Sequence, residues 1–231
     1  MTQALVINID DTARPVYVLG AGGHAKVVVA TLEAAGYLVE GIYDDDPSLA
    51  GLDILGVPVL GPTTLIETTD FDSVVAVGEN ATRQRVVQAW SEQLRWASVI
   101  HPTAFVHASV EVGDGTVVCA QAVIHPDSVI GQHVIVGAGT TIGHDTNIHD
   151  YVHLAPGVHL AGNVRIGEGA FVGIGSSVIQ GIEIGRWANV GAGSVVIHDL
   201  TDGITAVGAP ARPLPYDPQR RTPLRSDYRL D

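Results

Sequence analysis

The sequence predicts two successive parts: a small α/β domain with a Rossmann-like parallel sheet, followed by a parallel β-helix of hexapeptide repeats. Two observations predict this arrangement. A glycine-rich turn, Gly20–His24, joins a strand-like run to a helix-like run. Further along, an aliphatic residue recurs every six positions through seventeen hexads, without one slip. These residues are Ile100, Val106, Val112, Val118, Ile124, Ile130, Val136, Ile142, Ile148, Leu154, Leu160, Ile166, Val172, Val178, Ile184, Val190 and Val196.

The period of six indicates a closed coil. It fits neither the helical period of about 3.6 nor the alternation of a strand, so the chain must turn a corner every six residues. Three hexads then make an 18-residue coil, which rises by roughly 4.8 Å at strand spacing. Glycines that follow many of the aliphatic residues suit the corners, where a Cβ would hinder the backbone. Because no insertion interrupts the register, we expect a neighbouring subunit and the N-terminal domain to complete any groove.

The first hundred residues contain the elements of an open α/β sheet. We expect strands from Pro15 to Gly20, from Val39 to Tyr43 and from Ser73 to Val77. One helix is expected between the glycine turn and Gly36, and a second one ending near Leu94. The predicted domains are therefore residues 1–98, the β-helix 99–212, and a Pro/Arg-rich C-terminal tail 213–231.

Composition restricts the partners and the compartment. The net charge of −13 argues against a nucleic-acid partner, because cationic contacts to phosphate dominate such binding. No apolar run approaches the roughly 20 residues of a membrane helix, so no membrane insertion is expected. The start of the chain lacks the pattern of a secretory signal. Single Cys119 suits a reducing cytosol and a structural corner position, so a cytoplasmic protein is expected.

The glycine turn has the pattern of a phosphate cradle. Gly20 and Gly22 let the backbone approach a diphosphate at a helix N-terminus, and Asp44 and Asp45 follow about twenty residues later. No second half of a dinucleotide-binding fold follows, which favours a single nucleoside diphosphate. Lys26 lies in the first helical turn, and both a surface cation and a phosphate contact remain open for it.

His144 is the candidate base in the coils. The 18-residue period puts Gly162 one coil later on the same face and Pro126 one coil earlier. A histidine beside a glycine amide is an arrangement that acyl transfer would use, with the ring taking a proton and the N–H holding the oxyanion. Asp145 follows directly and could orient the imidazole.

A zinc site is the alternative for the histidines. Carbonic anhydrases on a β-helix of this kind use two histidines five apart and a third on the same face two coils before. His144 and His149 have the first spacing, but the third position is Ala108, and His107 is one residue off. An offset of one residue turns the side chain to a different side of the strand, so no metal is predicted.

The combination of motifs resembles the hexapeptide-repeat acyltransferases of the sialic-acid O-acetyltransferase and bacillosamine-pathway N-acetyltransferase family. The motifs that carry the resemblance are Gly20–Lys26, Tyr43–Asp46, Val77–Asn80 with Arg83, Ile142–Asp145, Leu160–Val164 and Val207–Ala211. The resemblance implies a left-handed β-helix that forms a homotrimer, with acetyl-CoA bound in the groove between neighbouring subunits. It also implies that the N-terminal domain holds the nucleotide of a nucleotide-linked amino sugar.

The resemblance also assigns roles to individual residues. The catalytic positions are His144 as general base, Asp145 as its carboxylate partner, and Gly162 as the oxyanion donor. The implied acetyl-CoA positions are His153, Gly162, Gly173, Gly191 and Arg212. The implied nucleotide-sugar positions are Gly20, Gly22, Gly23, His24, Asp44, Asp45 and Asn80.

The function implied is direct transfer of an acetyl group from acetyl-CoA to the amine of a UDP-, dTDP- or GDP-linked amino sugar. Two alternatives stay open at this point. A sugar-hydroxyl O-acetyltransferase would use the same base. A trimer that binds a nucleotide sugar through its N-terminal domain without catalysis is the other alternative.

Overall fold

The computed structural model describes residues 15–66 and 71–215. The first fourteen residues, residues 67–70, and the predicted tail from residue 216 onward lie outside the described residues.

The N-terminal unit is a six-stranded sheet in the order β3-β4-β2-β1-β5-β6. All neighbouring pairs run parallel except β3 with β4. The strands are β1 Val16–Leu19, β2 Val39–Tyr43, β3 Asp53–Ile54, β4 Val57–Gly61, β5 Asp72–Val75 and β6 Arg95–Trp96. The helices are α1 Gly23–Ala34 and α2 Asn80–Trp90, and a 3-10 turn covers Thr63–Leu65.

Four details of the N-terminal unit differ from the sequence prediction. β5 ends at Val75 rather than Val77, and α2 ends four residues before Leu94. The chain then adds β6, which pairs with β5 and was not predicted. Residues 55–60, for which the sequence indicates a short extended piece, form the turn and second strand of a hairpin of β3 and β4; Leu55 and Gly56 close it with φ of 54° and 86°. Two successive residues with positive φ make a tight turn that periodicity alone does not reveal.

Seventeen two-residue strands form the β-helix. They are β7 Val99–Ile100, β8 Phe105–Val106, β9 Glu111–Val112, β10 Val117–Val118, β11 Val123–Ile124, β12 Val129–Ile130, β13 Ile135–Val136, β14 Thr141–Ile142, β15 Asn147–Ile148, β16 His153–Leu154, β17 His159–Leu160, β18 Arg165–Ile166, β19 Phe171–Val172, β20 Ser177–Val178, β21 Glu183–Ile184, β22 Asn189–Val190 and β23 Val195–Val196. Then β24 Thr205–Val207 and β25 Arg212–Pro213 close the end of the helix.

From β7 to β20, each strand pairs in parallel with the strand three further on, so the coil is a triangular prism of 18 residues per turn. Face 1 contains β7, β10, β13, β16, β19, β22 and β24, with β25 added antiparallel at the end; face 2 contains β8, β11, β14, β17, β20 and β23; face 3 contains β9, β12, β15, β18 and β21. Each corner is named by the faces it joins. The predicted hexapeptide-repeat, left-handed parallel β-helix behind a parallel α/β sheet is confirmed.

The prism is filled by the aliphatic residue of each hexad. Ile124, Ile142, Leu154, Ile166 and Val172 are all fully buried in one continuous core. Removing these side chains from water supplies roughly 1.5–3 kcal/mol each, which drives the coil to close. The residue after the aliphatic lies against the backbone of the next coil, and this contact explains the glycines found there.

The N-terminal unit packs against face 1. Val99, Val117 and Cys119 on the outside of the first coils share a buried cluster with β1, α1 and β2. Burial raises the pKa of the Cys119 thiol to about 11, which makes it an unreactive packing residue at neutral pH. β6 ends at Trp96 and β7 begins at Val99, and this short connection supports the proposed boundary between residues 98 and 99.

Neither of the helices in the described ranges has the length and apolar character needed to cross a bilayer.

Candidate active site

His144 lies at the corner between faces 2 and 3, directly after β14. Its Nδ1 is 2.6 Å from Asp145 Oδ2. A carboxylate oxygen accepts this hydrogen bond from a neutral ring, so the Nδ1 carries the proton and Nε2 is left with a free lone pair. The side chains are 68% and 62% exposed, so a substrate can reach them from solvent. The pair therefore has the geometry of a general base with an orienting acid.

Gly162 stacks one coil beyond His144. The His144 carbonyl accepts a hydrogen bond from Asn163 N–H at 2.8 Å, which keeps the two corners in register. A Cβ built on Gly162 would lie 2.6 Å from His144 Nε2, so the imidazole occupies the space above this glycine. Within residues 15–66 and 71–215, the Gly162 N–H donates no hydrogen bond. An unpaired backbone donor at the corner that holds the proposed base is the kind of group that an oxyanion site requires.

The N-terminus of α1 is open. Gly22 is the N-cap residue, and no side chain caps the first turn. A Cβ added to Gly22 or Gly23 would meet nothing within 4 Å, so a ligand can approach the backbone there. Gly20 has a φ of +107°, and a side chain at this position would collide with Val77 and Ala76. This turn has the features of a phosphate cradle, with Lys26 exposed in the first helical turn.

The two predicted substrate carboxylates hold loops in place. Asp44 Oδ2 accepts from Ala21 N–H at 2.6 Å, which fixes the glycine turn against the end of β2. Asp45 Oδ1 accepts from both the N–H and the hydroxyl of Thr63, at 2.8 and 2.9 Å. Both aspartates lie at the carboxyl end of β2, at the edge of the sheet where α1 begins. Their predicted role in binding the ribose stays a prediction.

His24 and His153 meet across Gly78. Their ring centroids are 6.0 Å apart, and His153 Nδ1 lies 2.9 Å from the Gly78 carbonyl oxygen. Burial, together with the charge of Arg83, lowers the pKa of His24 to about 4 and that of His153 to about 3. His24 Nε2 is buried without a hydrogen-bond partner among the described residues. A buried orphan nitrogen beside an open glycine turn is a position that a bound ligand would satisfy.

Asn80 lies in the junction between the two units. Its Nδ2 donates to the carbonyls of Gly169 and Ala170 at 2.9 and 3.1 Å, and its Oδ1 accepts from Arg83. Only 6% of the residue is exposed, and its amide group is fully used within the protein. The structure thus gives Asn80 a packing contact with the β-helix, whereas the sequence suggested a contact with substrate.

Three of the predicted acetyl-CoA positions lie towards the end of the prism. Cβ atoms on Gly173 and Gly191 would collide with Ala192 N and Val207 Cγ1 at 2.6 Å in the next coil, so stacking alone requires these glycines. Arg212 is exposed on β25, and its guanidinium donates to the Ala211 carbonyl. Contacts of all three with a cofactor stay predictions.

The candidate residues form two groups on opposite sides of the prism. His144, Asp145 and Gly162 share the corner between faces 2 and 3. His153, with Gly78 and His24, lies on face 1. His153 follows His144 by nine residues, which is half of an 18-residue coil. The two histidines therefore point away from each other within one chain.

Sequence reasoning missed the role of Arg83 and the Gly78 carbonyl in this second group. The sequence did contain one indication of this role: Arg83 lies four residues before Val87, so both residues are on the same, buried face of α2. A metal site finds no support in the described ranges, where no three His, Cys, Asp or Glu side chains are placed to share an ion.

Comparison with known proteins adds independent observations. The PglD N-terminal domain family matches residues 15–90, and the bacterial transferase hexapeptide family matches residues 127–162 and 163–198. An uncharacterised protein of Acanthamoeba polyphaga mimivirus is 31% identical over 115 residues. That match covers 48% of this chain and 22% of the viral protein, so the chain spans less than a quarter of that relative.

Solved structures match over most of the chain. A mutant of perosamine N-acetyltransferase from Caulobacter crescentus, with one histidine replaced by asparagine and with CoA and GDP-perosamine bound, is 40% identical. The match covers 87% of this chain and 97% of that one, with a TM-score of 0.83. The acetyltransferase domain of PglB from Neisseria gonorrhoeae is 39% identical, with coverages of 87% and 100% and a TM-score of 0.82. WeeI from Acinetobacter baumannii is 28% identical, with coverages of 87% and 99% and a TM-score of 0.79. By identity and near-complete coverage, this chain belongs to the hexapeptide-repeat sugar N-acetyltransferases of the bacillosamine-pathway type.

Proposed function

We propose that the protein transfers the acetyl group of acetyl-CoA to the amino group of a nucleotide-linked amino sugar. The observation that carries the proposal is the corner of His144, Asp145 and Gly162, where the imidazole lies over a glycine whose backbone N–H has no partner among the described residues. Similarity to enzymes solved with CoA and GDP-perosamine, or with acetyl-CoA, supports the choice of donor and acceptor.

His144 Nε2 takes the proton from the sugar amine as the nitrogen forms its bond to the thioester carbonyl carbon. Asp145 holds the ring with Nδ1–H towards the carboxylate, so the lone pair of Nε2 stays aimed at the amine. The Gly162 N–H stabilises the negative charge that develops on the carbonyl oxygen. The carbon–sulfur bond then breaks and the CoA thiolate leaves. An amine has to lose only one proton, so one histidine suffices.

The complete site is proposed to form between subunits of a homotrimer. Within one chain the half-coil separation puts His144 and the His24–His153 group on opposite sides of the prism. In a closed ring of three prisms, the corner of one subunit can face the N-terminal domain of the next. The nucleotide would lie at the N-terminus of α1, and the single buried thiol suits a cytoplasmic location.

Release of CoA thiol from acetyl-CoA with a panel of UDP-, dTDP- and GDP-linked 4-amino sugars tests the activity. We expect turnover with at least one member, and His144→Ala should lower kcat by roughly a hundredfold or more. His101→Ala is the matched control, because His101 also follows a strand at a corner, but its ring nitrogen contacts the N–H and hydroxyl of Thr103 and not a carboxylate. Turnover only with hydroxyl acceptors would indicate O-acetylation. Nucleotide binding without any thiol release would indicate a non-catalytic trimer.

Mixed trimers test the shared site. We expect His144→Ala and His153→Ala proteins to be inactive separately. Co-assembly at equal amounts should restore about a quarter of wild-type activity, because one pairing in four joins an intact His144 to an intact His153. If all catalytic groups came from one chain, the mixture would stay inactive. Light scattering on each variant checks that both assemble alike.

A further inference from the structure

Arg83 is a buried cation at the junction between α2 and the β-helix. It is 1% exposed, and burial lowers the pKa of its guanidinium to about 10, so it stays charged at neutral pH. Its partners in the described ranges are carbonyl oxygens and one amide oxygen. Burying a cation is costly, and the hydrogen-bonded dipoles together with the negative charge of Glu79 offset only part of that cost. A leucine at position 83 could pack the two units together without the cost of burying a charge. The guanidinium therefore indicates a role for Arg83 beyond packing.

The guanidinium spans both units through its fixed fork of donors. Nε donates to the His133 carbonyl at 2.9 Å, and Nη2 donates to the Tyr151 carbonyl at 2.7 Å on the next coil. Nη1 donates to the carbonyls of Val77 and Gly78, at 3.0 and 3.3 Å. Arg83 thus fixes the 77–78 loop of the N-terminal unit against the corner between faces 3 and 1.

The Gly78 carbonyl in turn determines the protonation of His153. A carbonyl oxygen only accepts hydrogen bonds, so the His153 Nδ1 at 2.9 Å must be the donor. The neutral ring then has a bare Nε2, for which no hydrogen bond is found in the described part of the chain. Phe171 packs edge-on against the ring at 5.2 Å and holds its plane.

Two further groups bear on the charge of His153. His24 on α1 and Arg83 on α2 are the titratable side chains that act on it, and both disfavour the imidazolium. Burial is the larger cause, and together they lower the pKa of His153 to about 3. Nε2 therefore carries no proton at physiological pH and can only accept a hydrogen bond, while Nδ1 donates to the Gly78 carbonyl.

We propose that Arg83 is a positioning residue: it holds the Gly78 carbonyl against His153 Nδ1, so that Nε2 presents a lone pair to an N–H or O–H group of the bound ligand. The donor would be the amine or a hydroxyl of the amino sugar, or an amide N–H of CoA. Only this identity of the ligand rests on the proposed function. The tautomer does not depend on it.

Nitrogen-15 NMR of histidine-labelled full-length protein tests the proposal directly. His153→Ala assigns the resonances, and wild type should show His153 as the Nδ1–H tautomer throughout pH 6–8. A protonated Nε2 or a mixture of tautomers would overturn the proposal. Because the measurement needs no turnover, a protein that shows the Nδ1–H tautomer but no activity would count against the enzyme and not against this inference.

Two ligands added separately identify the source of the donor. A shift of the Nε2 resonance with CoA alone would assign an amide N–H of the cofactor. A shift with GDP-perosamine alone would assign the sugar. If neither ligand moves the resonance, the acceptor role is wrong.

Arg83→Lys keeps the charge but replaces the planar fork by one nitrogen, which cannot reach all these carbonyls. We expect mixed His153 tautomers and a KM about tenfold higher for the ligand that moves Nε2, with kcat changed much less. Arg85→Lys on the same helix is the matched control, since Arg85 is exposed and donates to the Thr82 hydroxyl, away from the carbonyls that Arg83 contacts. A wild-type tautomer and KM in Arg83→Lys would refute the positioning role. If that variant does not fold, the wild-type spectra still decide.

Discussion

At the scale of single residues, His144 depends on its two neighbours in different ways. Asp145 controls the ring through a hydrogen bond, and it does so from a left-handed backbone conformation with φ of 56°. Gly162 controls the ring through the space that its missing side chain leaves. The proposed base therefore needs the Asp145 carboxylate beside its Nδ1 and needs position 162 to have no Cβ.

Asp145→Asn should lower kcat by about tenfold or more, because an amide holds the imidazole tautomer less strictly than a carboxylate does. Asparagine tolerates positive φ, so the corner itself should stay intact. Asp127→Asn is the control, as Asp127 occupies the same corner one coil earlier with φ of 60° and has no histidine before it. Equal rates for both variants would show that the His144–Asp145 contact does not matter for turnover.

Gly162→Ala should lower kcat by roughly a hundredfold while leaving the melting temperature almost unchanged. Its backbone conformation suits alanine, and only the mobile end of the His144 side chain must move, but a displacement of about 1 Å is enough to misplace a base. Gln180→Ala, exposed in the same column one coil later, should have wild-type kinetics. Full activity of the Gly162 variant would remove this residue from the site.

At the scale of elements, two kinds of glycine hold the coils together. One kind, such as Gly137, has ordinary φ but faces the backbone of the next coil, where a Cβ would lie 2.6 Å from Pro156 N. The other kind, such as Gly139, has φ of +67° and open space around it. Contact distance constrains the first kind, and backbone conformation constrains the second.

Gly137→Ala should therefore lower the free energy of unfolding by about 1–3 kcal/mol, because stacked backbones cannot give way as a side chain does. Gly139→Asn at the same corner should change it by less than about 1 kcal/mol, since asparagine accepts positive φ. Chemical denaturation of both variants measures the difference. A Gly139 variant as unstable as the Gly137 variant would contradict the distinction.

At the scale of the whole molecule, the junction of the two units holds three histidines around one arginine, with His133 buried and His24 and His153 half-buried. His133 stacks on Tyr151 at 5.6 Å with an interplanar angle of 5°, and burial together with Arg83 lowers its pKa to about 4. His24 and His153 are lowered for the same reasons. All three rings are therefore neutral in the folded protein and must stay so.

Stability should fall as the pH is lowered from 6.5 towards 4. Each ring has a lower pKa when folded than the ordinary 6.5, so the unfolded chain binds more protons in this window and acid favours unfolding. At pH 5 the loss is up to about 2 kcal/mol for each histidine. Melting curves at pH 7.5 and pH 5 measure it. Asparagine tolerates the positive φ at position 133, so His133→Asn should fold and lose less stability between pH 7.5 and pH 5 than the wild type does. Equal wild-type stability at both pH values would show that these histidines do not couple folding to proton binding.

The regular period in the sequence is sufficient to predict the stacked coils and part of the site. Eighteen residues per coil predicted that Gly162 stacks beside His144, because in a coil of fixed length the neighbours one turn apart are set by counting. The same count argued against a zinc site, because it placed Ala108 where the third histidine ligand would be needed. Motifs at Gly20–His24 predicted an open helix N-terminus, because glycine spacing and backbone approach are local properties.

The tertiary structure alone determined what depends on packing between the two units. Counting gave no sign that Asn80 and Arg83 turn towards the β-helix carbonyls, or that Gly78 fixes the tautomer of His153. These contacts join residues that lie tens of positions apart, and their geometry depends on how α2 docks on a corner. The sequence by itself thus determined the coil, the candidate base and its stacked glycine. Docking of the N-terminal unit decided which side chains are free to meet a ligand. The physical reason is that only the folded junction surrounds Arg83 with carbonyl oxygens and leaves His153 Nε2 without a hydrogen-bond partner.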